Sequence, residues 1–166
     1  MAGSYHQLGN VAQGRGQLDE AEDWHRQSLT IKEDLGNRPG MASSYHQLGM
    51  VAQDREQWEV AEGWYRQSLT IEEDLGNRPG LAISYAQLGL HAQAQQRSAQ
   101  ALTWVVKCVS LFDAIPHPST GSGPAHLRLL TAELGIEAVE GAWQATTGSP
   151  LPAAVREYVL TEPTAD

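Results

Sequence analysis

Ser4-Tyr5-His6-Gln7-Leu8-Gly9 returns as Ser44-Tyr45-His46-Gln47-Leu48-Gly49 and again as Ser84-Tyr85-Ala86-Gln87-Leu88-Gly89. The spacing is 40 residues both times. Laid over Met41–Gly80 without a gap, Met1–Gly40 matches at 30 of 40 positions and differs only at 3, 10, 14, 16, 18, 19, 20, 23, 25 and 32. A fixed period of this size marks a stacked repeat array. Each unit of such an array buries its apolar face against its neighbours, and the stack offers other macromolecules a long continuous surface.

Working outward from that hexapeptide, each 40-residue unit reads as two helices. At 100° per residue, Met1, Ser4, Tyr5, Leu8, Gly9 and Ala12 share one arc, with Gly3, His6, Gln7, Asn10, Gln13 and Gly14 opposite. Gly14-Arg15-Gly16 ends this helix. A longer one follows, with Leu18, Ala21, Trp24, His25, Ser28, Leu29, Ile31 and Leu35 on its packing side. Glu22–Arg26 and Glu62–Arg66 stand at i,i+4 for ion pairs on the outer face. Gly36 is placed as a left-handed cap and Pro39 as the first residue of the next helix, punctuation that Gly76 and Pro79 repeat. Gly9, Gly49 and Gly89 lie inside helices, where glycine costs about 1 kcal/mol relative to alanine. Their position on the packing arc predicts close helix–helix approach.

These residues resemble the tetratricopeptide repeat (TPR). Leu8-Gly9, Ala12, Ala21 and Ser28 carry the likeness in the first unit. Leu48-Gly49, Ala52, Ala61 and Ser68 carry it in the second, and Leu88-Gly89, Ala92 and Ala101 in the third. Tyr5, Tyr45 and Tyr85 stand at the family's large first position. The 40-residue period, longer than the common 34, is similar to kinesin-light-chain-type repeats and to arrays in bacterial signalling and regulatory proteins. The resemblance implies an all-α, right-handed superhelix of antiparallel helix pairs. The expected division is three units (1–40, 41–80 and 81–115), a loop over 116–123, capping helices over 124–160 and a flexible tail over 161–166. The cap is read from the third unit, where Leu102, Val106 and Phe112 replace Glu62, Arg66 and Glu72. That apolar outer face needs a cover.

The net charge of −9 argues against nucleic acid and against anionic membrane surfaces as partners. A single cysteine, Cys108, leaves no internal disulfide and suits a reducing compartment, so a cytoplasmic location is expected. Cys108 takes the position of Ser28 and Ser68, which predicts a buried, inert thiol. No phosphate loop, nucleophile elbow or zinc spacing occurs in the sequence, and His6 with His46 lacks a third ligand at helical spacing. No cofactor, metal or catalytic residue is therefore expected.

In the family the first helices of each unit line a concave, peptide-binding groove. Carried over residue by residue, that groove would take His6, Gln7, Asn10 and Gln13 from the first unit. The second would add Ser43, His46, Gln47, Met50 and Gln53, and the third Ile83, Gln87, Leu90 and Gln93. Gln7, Gln47 and Gln87 form a ladder of amides able to pair with a peptide backbone. The family's cationic clamp for C-terminal carboxylates is not supported, since His, Gln, Asn and Met hold its positions. The expected function is a protein-interaction scaffold. The alternative is a self-associating array that pairs through the first helix, which has no covering segment before it; the near-identity of the first two units suggests a piece of a longer array.

Overall fold

The computed structural model describes residues 1–161. Among them are nine α-helices, one 3-10 turn and no strand. Six helices form the three pairs: α1 (Ala2–Gly14) with α2 (Leu18–Asp34), α3 (Arg38–Asp54) with α4 (Trp58–Leu75), and α5 (Arg78–Ala94) with α6 (Ser98–Val109). A 3-10 turn at Pro118–Thr120 packs on α5, and α7 (Gly123–Leu134), α8 (Ile136–Thr147) and α9 (Ala153–Leu160) follow. The chain divides into two compact units, Met1–Asn77 and Arg78 onward. Of the tail expected over 161–166, only Thr161 is described; its hydroxyl donates to the Glu157 carbonyl.

The punctuation follows the sequence closely. Gly36 and Gly76 adopt the left-handed conformation that ends α2 and α4. α3 starts one residue before Pro39, at Arg38, because the Asn37 side chain caps it by accepting from the Gly40 amide at 3.1 Å. The first-helix turn needs a left-handed residue as well, and Gly16 supplies it in the first repeat. Glu56 and Gln96 take that conformation in the next two despite their side chains.

In the first compact unit the helix pairs approach through glycine. A Cβ on Gly9 would stand 2.5 Å from the His25 ring, and one on Gly49 would stand 2.6 Å from Tyr65. Both rings are fully buried. Ser28 and Ser68 donate to the carbonyls of Ala2 and Ala42, each at 2.9 Å, tying second helix to first. Tyr5 stacks on Trp24 and Tyr45 on Trp64. α2 seats on α3 around Ala12, Ala21 and Val51. Lys32 donates to Ser44 at 2.8 Å, and Arg55 holds Asp19 and Glu22 at 2.6 Å each. The expected Glu22–Arg26 and Glu62–Arg66 pairs form at 2.7 and 2.8 Å.

The packing arc expected on α1 is only partly buried. Leu8 is 44% exposed and Val11, beside that arc, 51%, whereas Leu48 and Val51, in the same register of α3, are 2% and 1% exposed. The difference is α2, which covers that side of α3 and has no counterpart against α1 among the described residues.

The second compact unit explains the apolar third repeat. Leu102 and Val106 are buried in one core with Val105, Val109, Leu127, Leu130, Val139, Trp143, Val155 and Val159. Where the earlier repeats place an exposed ion pair, this one seats α7 and α8. Phe112 is half-buried, stacked on His117 at 3.9 Å. Cys108 fills the serine position and turns its thiol toward the Thr120 carbonyl at 3.7 Å. Burial pushes that thiol up to about 12, so it is unreactive near neutral pH.

Candidate peptide-binding site

Helical spacing sets the site. Asn10, Gln13 and Gly14 fall on one face of α1 at i, i+3 and i+4; Gln47, Met50 and Asp54 fall on one face of α3 at i, i+3 and i+7. Together these six residues line an open depression of about 450 Å³. Gly14 and Asp54 are the last residues of their helices, so two helix C-termini meet there. Gln13 donates through Nε2 to the Asp54 carboxylate at 2.7 Å.

The other expected residues distribute unevenly. Gln7 and Ser43 are exposed but lie outside the depression. His6 and His46, placed on the outward arc by the sequence, are half-buried and turn toward the second helices. His6 lies edge-on to His25 at 5.5 Å, and His46 is tilted against Tyr65 at 5.7 Å. Their Nδ1 atoms are buried without a hydrogen-bond partner. Burial lowers the basicity of both, with Lys32 adding to the effect at His6. Imidazoles in this setting serve packing.

Gln13, Gln53 and Gln93 share one register yet have different partners. Gln13 bonds Asp54, Gln53 accepts from the Tyr65 hydroxyl at 3.2 Å, and Gln93 donates to Glu133 at 3.3 Å. In the second compact unit Ile83 and Leu90 are exposed and Gln87 is half-buried, while Ala86 is buried. Sequence reasoning missed Asp54. The available signal was its register, where Gly14 and Ala94 stand in the other repeats.

Among the described residues no group of three or more His, Cys, Asp or Glu is placed to hold a metal ion. No described helix is long and apolar enough to cross a membrane.

Two solved structures are similar to this chain in fold. BtubC (BKLC) from P. vanneervenii superposes with a TM-score of 0.69 at 17% identity, over 99% of this chain and 67% of that one. A Podosopora anserina protein assigned as a kinesin light chain, with nearly identical TPR-like repeats, gives 0.66 at 21% identity, over 94% of this chain and 82% of that one. At such identities the likeness concerns the fold. No curated protein matches the sequence. The family model described as tetratricopeptide repeat matches residues 1–74 and again 40–114, and the chain belongs to that family.

Proposed function

We propose that this chain is a non-catalytic protein-interaction scaffold that holds a peptide segment along its first helices. The depression lined by Asn10, Gln13, Gln47, Met50 and Asp54 carries this reading. It lies on the face that the family resemblance assigns to ligand, on α1 and α3, and it combines the amides of Asn10, Gln13 and Gln47 with one adaptable apolar side chain. Gln7 and Gln47 would extend it within the first compact unit as a backbone-pairing ladder. In the second unit, taken by itself, Gln87 would offer the same amide and the exposed Ile83 and Leu90 apolar contacts. A place as the sensing or scaffolding part of a larger bacterial signalling or transcription-regulatory protein follows from the resemblance alone, a cytoplasmic location from the single cysteine, and both belong to the same proposal.

The test is selection of peptides from a random dodecamer library against the purified chain, followed by affinity measurement on Gln47→Ala. One hydrogen bond is worth about 0.5–1.5 kcal/mol, so affinity should fall about three- to tenfold while the melting temperature holds. Unchanged affinity for every selected peptide would sink the groove.

A second reading, self-association through α1, is favoured by the exposure of Leu8 and Val11 beside the burial of Leu48 and Val51. Light scattering across a hundredfold concentration range decides it. A constant monomer mass removes it.

A further inference from the structure

We propose that the depression between the C-terminal ends of α1 and α3 seats a basic side chain, arginine or lysine, of the bound peptide, with Asp54 as its counter-charge. This rests on the groove reading above and adds the chemistry that the groove selects.

Asp54 is the one charged residue in the lining; the rest are Asn10, Gln13, Gly14, Gln47 and Met50. Two helix C-termini reinforce its sign. Gly14 ends α1 and Asp54 ends α3, and neither helix has a basic residue in its last turn. The final carbonyls of each helix carry a partial negative charge that a cation complements. The nearest cation in sequence, Arg55, is engaged elsewhere, at 2.6 Å from both Asp19 and Glu22, with only 20% of its side chain exposed. Arg15 is not part of the lining.

The remaining groups suit the same guest. Gln13 commits its NH₂ to Asp54, which leaves its carbonyl oxygen to accept from a guanidinium or ammonium. Met50 offers a soft apolar surface to the aliphatic stem that long basic side chains bury. A volume of about 450 Å³ admits such a side chain together with its flanking backbone. An acidic peptide would instead meet a carboxylate and two helix C-termini. The third repeat offers no second copy of this subsite, since Leu90 and Ala94 stand at the Met50 and Asp54 positions.

The test titrates the isotope-labelled full chain with N-acetylarginine amide and with N-acetylcitrulline amide, which keeps the shape and loses the charge. Amide shifts are followed by NMR. The arginine probe should move the Gly14 and Asp54 signals saturably and bind at least fivefold more tightly than citrulline. Asp54→Asn should erase that preference. Equal affinities, no saturable shift at those residues, or a preference that survives Asp54→Asn each overturn the proposal. Library peptides that depend on Gln47 but show no enrichment in arginine or lysine would overturn it while leaving the groove reading intact. Peptides indifferent to Gln47 would remove the groove reading whatever the arginine probe does.

Discussion

At the residue scale, two glycines in neighbouring helices predict opposite outcomes for one substitution. Gly49→Ala gains about 1 kcal/mol of helix propensity. The new methyl, however, would stand 2.6 Å from a Tyr65 ring that is fully buried and hydrogen-bonded to Gln53. Overpacking of that kind costs about 1–3 kcal/mol, so the variant should be less stable, with a lower urea midpoint. Gly63→Ala adds its methyl to open space in the middle of α4 and should raise the midpoint by up to about 1 kcal/mol. Equal responses would show that the close approach at Gly49 is not what sets its identity. Glu56 extends the point to backbone conformation. At φ 57° it is held where Gly16 stands one repeat earlier. Left-handed backbone costs an ordinary residue about 1–2 kcal/mol, and glycine returns part of that as extra freedom in the unfolded chain. Glu56→Gly should therefore stabilise modestly, by up to about 1 kcal/mol in the same urea assay.

At the scale of elements, the seat of α2 on α3 depends on a residue the sequence does not advertise. Arg55 reaches back 33 residues to Glu22, which also pairs with Arg26. Burial alone would push the Glu22 carboxyl up, but the hydrogen bonds and charges of Arg26 and Arg55 outweigh it and hold the carboxyl below its usual range. Arg55→Ala should cost about 1 kcal/mol, arising at Glu22 because Asp19 is fully exposed, and the loss should shrink in 1 M salt. Arg15 occupies the same register of the first repeat with no such ion pair among the described residues, so Arg15→Ala should be close to neutral in parallel urea titrations. This contrast marks what a single sequence discloses. Helix boundaries, the glycine contacts, the i,i+4 pairs and the covered face at Leu102 and Val106 depend on spacing along the chain or on register between repeats, and both are visible in the letters. The partners of Gln13, Gln53 and Gln93, the inward turn of His6 and His46, and the place of Asp54 depend on side chains of other helices, beyond the reach of spacing within one helix. Equivalent residues with different neighbours take different roles, and the repeat pattern alone treats them as copies.

Across the whole molecule, buried histidines tie stability to pH. His25 is fully enclosed and neither ring nitrogen has a hydrogen-bond partner. Desolvation, then the charges of His6 and Lys32, lower its pKa to about 4 from 6.5. His6, His46 and His126 are lowered in the same sense, chiefly by burial. The unfolded chain takes up these protons near pH 6.5, while the folded chain resists them until lower pH. Stability is therefore full above about 6.5 and falls as the pH drops toward 4. At about 1.4 kcal/mol per unit, His25 alone contributes up to about 3 kcal/mol of that loss. Glu72 opposes it weakly, because burial raises its pKa and the folded chain accepts that proton early. The second repeat supplies the control. Tyr65 fills the same place under Gly49 and donates to Gln53, and Gly9 and Gln13 reproduce those two neighbours around His25. His25→Tyr should fit under Gly9, find Gln13 as acceptor, and flatten urea stability between pH 7 and 4.5 by about 2–3 kcal/mol relative to the parent chain. A variant whose stability declines in parallel with the parent would place the acid sensitivity elsewhere, at the paired carboxylates.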